Sequence, residues 1–193
     1  MSYKEFFANF ELVPGTTISD AFMAKGVTDF LSAANHIRDL PYGRNTNKAN
    51  RLLVLSEGRG TCSGKHALLA ELAEEHLQPF ELTFGFFKIS TLTHPIVGPI
   101  LEKHGLSYYP ELHAYLVSNG SRYDFTGTEN PVFPIFEFLK ELPVKPAQVE
   151  SFKEQAHKEF LTTWLRSEGL THRLNLEQLW AIREKCIAAR SRS

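Results

Sequence analysis

The residues of this chain best suited to covalent chemistry are a cysteine and a histidine–aspartate pair, Cys62, His113 and Asp124. Cys62 lies in the first turn of a predicted helix, where backbone N–H groups have no intrahelical partner and the helix dipole is positive. Both effects favour thiolate over thiol, which makes such a cysteine nucleophilic near neutral pH. The same N–H groups can hold an oxyanion. A small buried cysteine that happens to begin a helix fits the position equally well.

A predicted β-hairpin places the histidine and the aspartate on one face of a sheet. Its turn is 118–121, because Asn-Gly between two strand-like runs is a strong hairpin signal. Counting outward gives these pairs: Ser118 with Ser121, Val117 with Arg122, Tyr115 with Asp124, and His113 with Thr126. His113 and Asp124 are then diagonal neighbours, with Cβ atoms about 7 Å apart, within reach of a hydrogen bond. The opposite face is apolar and reads as core: Leu112, Ala114, Leu116, Tyr123 and Phe125.

This pair supplies what a cysteine nucleophile needs. His113 would take the thiol proton and later protonate the leaving group. Asp124 would hold the imidazole tautomer and stabilise the imidazolium. The alternative is a surface histidine and a solvated aspartate on an edge hairpin, and the cysteine at a helix start favours the catalytic interpretation.

The surrounding elements are predicted from periodicity and from turn residues. Apolar spacing and a Thr61 N-cap behind the loop 58–60 predict the nucleophile helix at 61–77. A run rich in aromatic and β-branched residues predicts a strand at 80–90. Further helices are predicted at 28–40, 99–104, about 147–167 and about 176–189, with a loop at 41–50.

The order of these motifs resembles the transglutaminase-like superfamily over about residues 27–127. Residues 60–69 (GTCSGKHALL) look like its nucleophile helix, 112–117 (LHAYLV) like its histidine strand, and 122–126 (RYDFT) like its aspartate strand. The resemblance implies an α+β, papain-like fold with the nucleophile helix packed on an antiparallel sheet. It also implies chemistry through a thioester on an amide or ester carbonyl.

Other residues are candidates for supporting roles. The family completes its oxyanion hole with an upstream side chain, and Asn45, Asn47 and Tyr42 are candidates beside the Cys62 N–H, although asparagine equally suits an ordinary loop. His66 and Tyr115 are candidates for supporting the triad. His66 follows Cys62 by four residues, so a zinc site with Cys62, His66 and His113 is a further alternative, although the spacing matches no standard zinc motif.

Composition limits the remaining possibilities. The 193 residues suffice for one domain, with a core at about 27–127 and a helical extension at about 147–190. A net charge of −1 gives no electrostatic case for nucleic acid or a membrane surface. The first 15 residues contain no uninterrupted apolar segment, so we expect a cytoplasmic protein without a signal peptide. Two cysteines, Cys62 and Cys186, cannot build a disulfide framework, and Cys186 is expected to be structural.

The sequence therefore predicts a thiol-dependent acyl-transfer enzyme without a cofactor. Its substrate would be a protein, a peptide or a small amide, and hydrolysis is favoured over transamidation because water is the only acceptor required. The alternatives are a catalytically silent interaction module on the same fold and the zinc-binding protein. Neither the substrate nor the oligomeric state is indicated by the sequence.

Overall fold

The computed structural model describes residues 9–127 and 138–190. Within these ranges the α-helices are α1 (Thr17–Met23), α2 (Phe30–Asp39), α3 (Leu53–Ser56), α4 (Cys62–Glu75), α5 (Gly98–Lys103), α6 (Val149–Ser167) and α7 (Leu176–Arg190). The strands are β1 (Glu81–Ser90), β2 (Tyr108–Ser118), β3 (Ser121–Tyr123) and β4 (Phe138–Pro143), and they form one antiparallel sheet in the order β3-β2-β1-β4. The predicted α+β class is confirmed. No helix in the described ranges is long and apolar enough to cross a membrane.

Helix α4 begins where the sequence predicts it. Thr61 has an extended backbone, with φ −76° and ψ 167°, and its hydroxyl accepts the Gly64 N–H. This bond satisfies one of the donors that every helix N-terminus leaves unpaired. The helix is buried on more than one face, because His66 and Ala67, which lie off the leucine stripe, are as inaccessible to solvent as its leucines. A helix surrounded in this way is fixed in position, and so is the cysteine at its start.

The Asn-Gly hairpin forms with the predicted register. Ser118 pairs with Ser121 and Val117 with Arg122, and the next pair is Leu116 with Tyr123. Asn119 and Gly120 both have positive φ, 49° and 76°, as a two-residue type I′ turn requires. The ladder stops at Tyr123, so the predicted pairs of Tyr115 with Asp124 and His113 with Thr126 are not strand pairs.

The chain divides into two compact units. The first comprises 9–84, 113–127 and 142–150 of the described residues, and the second comprises 85–112, 138–141 and 151–190. The first unit holds α1 to α4, and stacked or tilted rings link Phe10, Phe30 and Phe80 in its core. The predicted single domain stays a prediction.

The second unit has its own apolar core. Trp164 and Trp180, predicted to pack the C-terminal helices, both contact this core, and Cys186 is fully buried in it, as expected of a structural cysteine. Its other buried members are Phe87, Ile89, Val97, Leu101, Leu106, Tyr109, Leu161, Leu165, Leu174, Leu179 and Ile182.

Candidate active site

Cys62 occupies the first position of α4, directly after the capping residue Thr61. It is a free cysteine and only 5% exposed. Its side chain is a hydrogen-bond partner of the His113 ring. The sulfur therefore meets both conditions for activation, a helix N-terminus and an adjacent base.

His113 lies on β2 between the cysteine and the aspartate. Its Nε2 is 3.0 Å from Asp124 Oδ2, and an ionised carboxylate can only accept, so Nε2–H is the donor. Because Nε2–H donates to Asp124, Nδ1 is the ring nitrogen that can act as a base toward the thiol. This is the tautomer that a general base for Cys62 requires.

Asp124 is held in place by a turn that its own side chain closes. Its Oδ1 accepts the Thr126 N–H at 2.9 Å and also the Thr126 hydroxyl. Such an Asx-type turn bends the chain away from an extended strand, which explains why β3 ends before Asp124. The turn leaves Oδ2 directed at His113, so the aspartate reaches the imidazole from beyond the strand end rather than across a ladder.

The protonation states in the site follow from these contacts. Burial by itself would lower the pKa of His113, but the charges of Asp124 and Cys62 and its hydrogen bonds to both outweigh burial and raise it. Burial likewise works to raise the pKa of Asp124, and the His113 charge and hydrogen bonds hold that pKa far below its usual range. These contacts favour the imidazolium form of His113 and the ionised form of Asp124.

His66 supports this arrangement in a neutral form. The Phe125 N–H donates to its Nε2 at 2.7 Å, so Nε2 carries a lone pair, and Nδ1–H donates to the Cys62 carbonyl at 2.8 Å. Burial lowers the pKa of His66 to about 4, although Asp124 Oδ1 lies 3.4 Å away. Through these two hydrogen bonds His66 links the first residue of α4 to Phe125, the residue after Asp124. This is how it would support the predicted triad.

A zinc site built from Cys62, His66 and His113 has no support in this geometry. Both ring nitrogens of His66 are engaged with backbone groups, and Nε2 of His113 is engaged with Asp124. Among the described residues, no three histidine, cysteine or acidic side chains are placed to hold a metal ion together.

The loop candidates for the oxyanion hole are placed differently from one another. The Asn45 side-chain amide donates to Leu53 O, Glu57 Oε2 and Arg59 O at 3.0–3.2 Å, so it holds its own loop together. The Asn47 side-chain oxygen Oδ1 accepts the Ala49 N–H, which is an ordinary Asx turn. Tyr42 is 65% exposed and its backbone bridges to Gly60, next to the start of α4.

Two further residues complete the surroundings. Tyr115, a predicted supporting residue, is fully buried, and its ring lies nearly parallel to that of His113 with centroids 6.5 Å apart. Lys65 was missed by sequence reasoning. Its ammonium is buried and donates to three backbone carbonyls, those of Arg38, Leu40 and Thr126. A signal was available, because Lys65 precedes Leu68, Leu69 and Leu72 at helical spacings of three, four and seven, on the buried stripe.

Comparison of the chain with protein-family models, with curated proteins and with solved structures finds no match in any of the three.

Proposed function

We propose that the protein is a cysteine-dependent acyl-transfer enzyme in which Cys62 is the nucleophile, His113 the general base and acid, and Asp124 the residue that orients the imidazole. The observation that carries the proposal is that Asp124 holds His113 through Nε2 at 3.0 Å, while Cys62 at the start of α4 acts on the same imidazole. This is the arrangement that nucleophilic catalysis by a thiol requires.

The reaction follows from the roles of these residues. The Cys62 thiolate attacks an amide or ester carbonyl, and the proton of the thiol resides on His113. The first-turn N–H groups of α4, that of Cys62 among them, stabilise the oxyanion. Collapse of the tetrahedral intermediate breaks the bond to the leaving group, which takes the proton from His113. Water then attacks the thioester and gives a proton to His113, and collapse of this second intermediate breaks the carbon–sulfur bond, which releases the acid and restores the Cys62 thiolate beside the protonated His113.

The fold offers a second, weaker support. An α+β chain with the nucleophile at the start of a buried helix, the histidine on a strand and the aspartate just after the next strand has the element order of a transglutaminase-like, papain-like enzyme. We therefore assign the chain to that architecture as part of the proposal. Amides and esters of protein, peptide or small-molecule origin are the substrate class.

The direct test traps the thioester. Incubation with p-nitrophenyl acetate followed by intact-mass and peptide mass spectrometry is expected to show one acetyl group on Cys62. Cys62→Ala should abolish the adduct, and Cys186→Ala serves as the matched control, which should keep it. Glycine methyl ester, added as an amine to the acylated enzyme, distinguishes the two reactions. Transamidation gives its N-acetyl derivative, and the favoured hydrolysis gives acetate. Acetylation that persists in Cys62→Ala, or no acetylation of the native protein, contradicts the proposal.

The burial of Cys62 favours one alternative, a catalytically silent module on the same fold. A thiol that is 5% exposed offers little surface to a macromolecular acyl donor. If the silent module were correct, small esters and iodoacetamide would leave Cys62 untouched in the folded protein and modify it only in urea. The rate of acetylation in the absence of urea therefore decides between the two.

A further inference from the structure

A buried ammonium stands one turn along the helix from the proposed nucleophile. Lys65 is carried by α4, is 0% exposed, and lies three residues after Cys62. Lysine is among the residues least often buried in full, because removing an ammonium from water is costly. A buried lysine with satisfied hydrogen bonds therefore calls for a physical explanation.

The Lys65 ammonium donates hydrogen bonds to backbone carbonyls of two segments. Arg38 O, at 3.4 Å, and Leu40 O belong to the end of α2, and Thr126 O lies 2.8 Å away, two residues after Asp124. A cation near helix C-terminal carbonyls is favourable, since these carbonyls carry the negative end of the helix dipole. Lys65 thus joins the nucleophile helix, the end of α2 and the segment that carries the aspartate.

Two glycines make room for this lysine. A Cβ on Gly60 would stand 2.9 Å from Lys65 Cγ, so a larger residue there would push on the lysine stem. Gly127 has φ +104°, and a Cβ there would stand 2.5 Å from Arg38 O, one of the carbonyls that the ammonium binds. Glycine, the smallest residue, therefore lies both against the Lys65 stem, at Gly60, and against one of its acceptors, at Gly127.

The charge of Lys65 acts on the site. Burial lowers the pKa of Lys65 to about 8, while the negative charges of Asp124, Asp39 and Cys62 act in the opposite direction. The ammonium therefore remains mostly protonated at neutral pH. Electrostatic influence is mutual, so a cation that these anions stabilise must stabilise them in turn.

We propose that Lys65 is a positioning residue of the active site, which holds the Asp124 segment against the nucleophile helix and supplies the positive charge that favours the Cys62 thiolate. The inference rests on the proposed function, because it assigns Lys65 a role in the same triad. A lysine that served only to fill the space between segments would stabilise the fold without changing the protonation of the cysteine.

The test is a titration of the Cys62 thiolate by its absorbance near 240 nm, with Cys62→Ser as the blank. Lys65→Met keeps the length of the side chain and removes the charge, and we expect it to raise the pKa of Cys62 by about one unit, the lower end of the effect of a nearby charge. Lys65→Arg retains the charge and should recover at least half of that shift. If folded Lys65→Met titrates like the native protein, the proposal is wrong.

A reciprocal measurement covers the case in which Lys65→Met does not fold. The Lys65 side-chain resonances, followed by NMR against pH, should titrate lower in Cys62→Ser than in the native protein, because the serine carries no negative charge. Equal midpoints in the two proteins would overturn the proposal.

Failure of this inference is distinguishable from failure of the proposed function. A native Cys62 that titrates well below 8.5, together with an unshifted Lys65→Met, removes the role of Lys65 and leaves the triad intact. A native Cys62 that titrates at or above 8.5 and takes no acetyl group overturns both.

Discussion

His113 and His157 each lie beside a buried carboxylate, and the pKa values of the two imidazoles are shifted in opposite directions. In the first unit, His113 faces Asp124 at 3.0 Å and its pKa is raised. In the second unit, Nδ1 of His157 lies 3.8 Å from Glu111, and burial lowers the pKa of His157 to about 4, with the nearby Arg183 acting in the same direction. Similar residue types therefore give a charged imidazole in one place and a neutral one in the other.

The distance to the carboxylate, 3.0 Å for His113 and 3.8 Å for His157, and the third member of each cluster both contribute to the difference. Beside His113 stands a thiol whose ionised form adds negative charge. Beside Glu111 stands Arg183, which donates to its Oε1 from Nε at 3.2 Å and from Nη2 at 2.8 Å. The guanidinium satisfies the carboxylate and repels a second cation. His157 instead donates Nε2–H to the Pro110 carbonyl at 3.1 Å and stays neutral.

The comparison teaches that a histidine next to an acid is not by itself a sign of catalysis. The His157 cluster is closed by an arginine and by backbone groups of the second unit. The His113 cluster pairs the imidazole with a nucleophile at a helix start. The predictions below separate the two clusters experimentally.

The largest expected effect comes from removing the sulfur. Cys62→Ser should lower kcat/KM for p-nitrophenyl acetate by about a thousandfold or more, since the hydroxyl is a far weaker nucleophile than the thiolate. Cys186→Ala, in the core of the second unit, should keep the native rate. Comparable losses in both variants would show that the rate reports folding rather than chemistry.

Asp124→Asn should lower kcat/KM by about a hundredfold or more, because the amide no longer favours the imidazolium and can fix the wrong tautomer. The pKa of His113, measured by NMR, should fall in the same variant. Glu111→Gln is the matched change in the second cluster and should leave the pKa of His113 in place. An unchanged pKa of His113 in Asp124→Asn would contradict the proposed coupling between the charges of His113 and Asp124.

Glu111→Gln should instead lower the free energy of unfolding by about 3 kcal/mol, because it leaves the Arg183 guanidinium, whose side chain is only 14% exposed, without its counter-charge. Urea unfolding measures this loss. Glu184→Gln removes the exposed partner of the same arginine and should cost less than about 1 kcal/mol. Equal costs for the two substitutions would mean that the buried pair adds nothing beyond a surface ion pair.

The smallest effect is a pH dependence. The pKa of His157 is about 4 in the folded protein and near the ordinary 6.5 when unfolded, so the unfolded chain binds more protons between these values. Stability from this group is present above 6.5 and is lost as the pH falls toward 4. Between pH 7 and pH 5 the native protein should lose about 2 kcal/mol more than His157→Gln, as measured by urea unfolding. Identical pH slopes for the two proteins would contradict a neutral His157.

The sequence predicts the positions of the candidate site residues better than the contacts between them. Helix α4 and the Asn-Gly turn form close to their predicted bounds, because capping and turn chemistry are local properties. The contact of His113 with Asp124 was expected across a strand pair, and it arises instead from the Asp124 turn beyond β3. A side-chain hydrogen bond that ends a strand leaves no periodic signal.

Long-range polar contacts were the least predictable. His157 shows no partner in the sequence near it, and its carbonyl acceptor lies 47 positions away. The position of Lys65 on the leucine stripe signals its burial, but its acceptors at the end of α2 and at Thr126 are brought to it only by the fold. Strand β4 was also missed, since its half-exposed residues carry a weak alternation.

The central claim is that Cys62 and His113 form an ion pair, and the rate of Cys62 alkylation by iodoacetamide across pH tests it most directly. The account predicts a rate that is already high below neutral pH, with a midpoint well under the free-thiol value of about 8.5, and a midpoint that rises toward that value in His113→Gln. A native midpoint at or above 8.5, or no alkylation until the protein is unfolded in urea, would contradict the account.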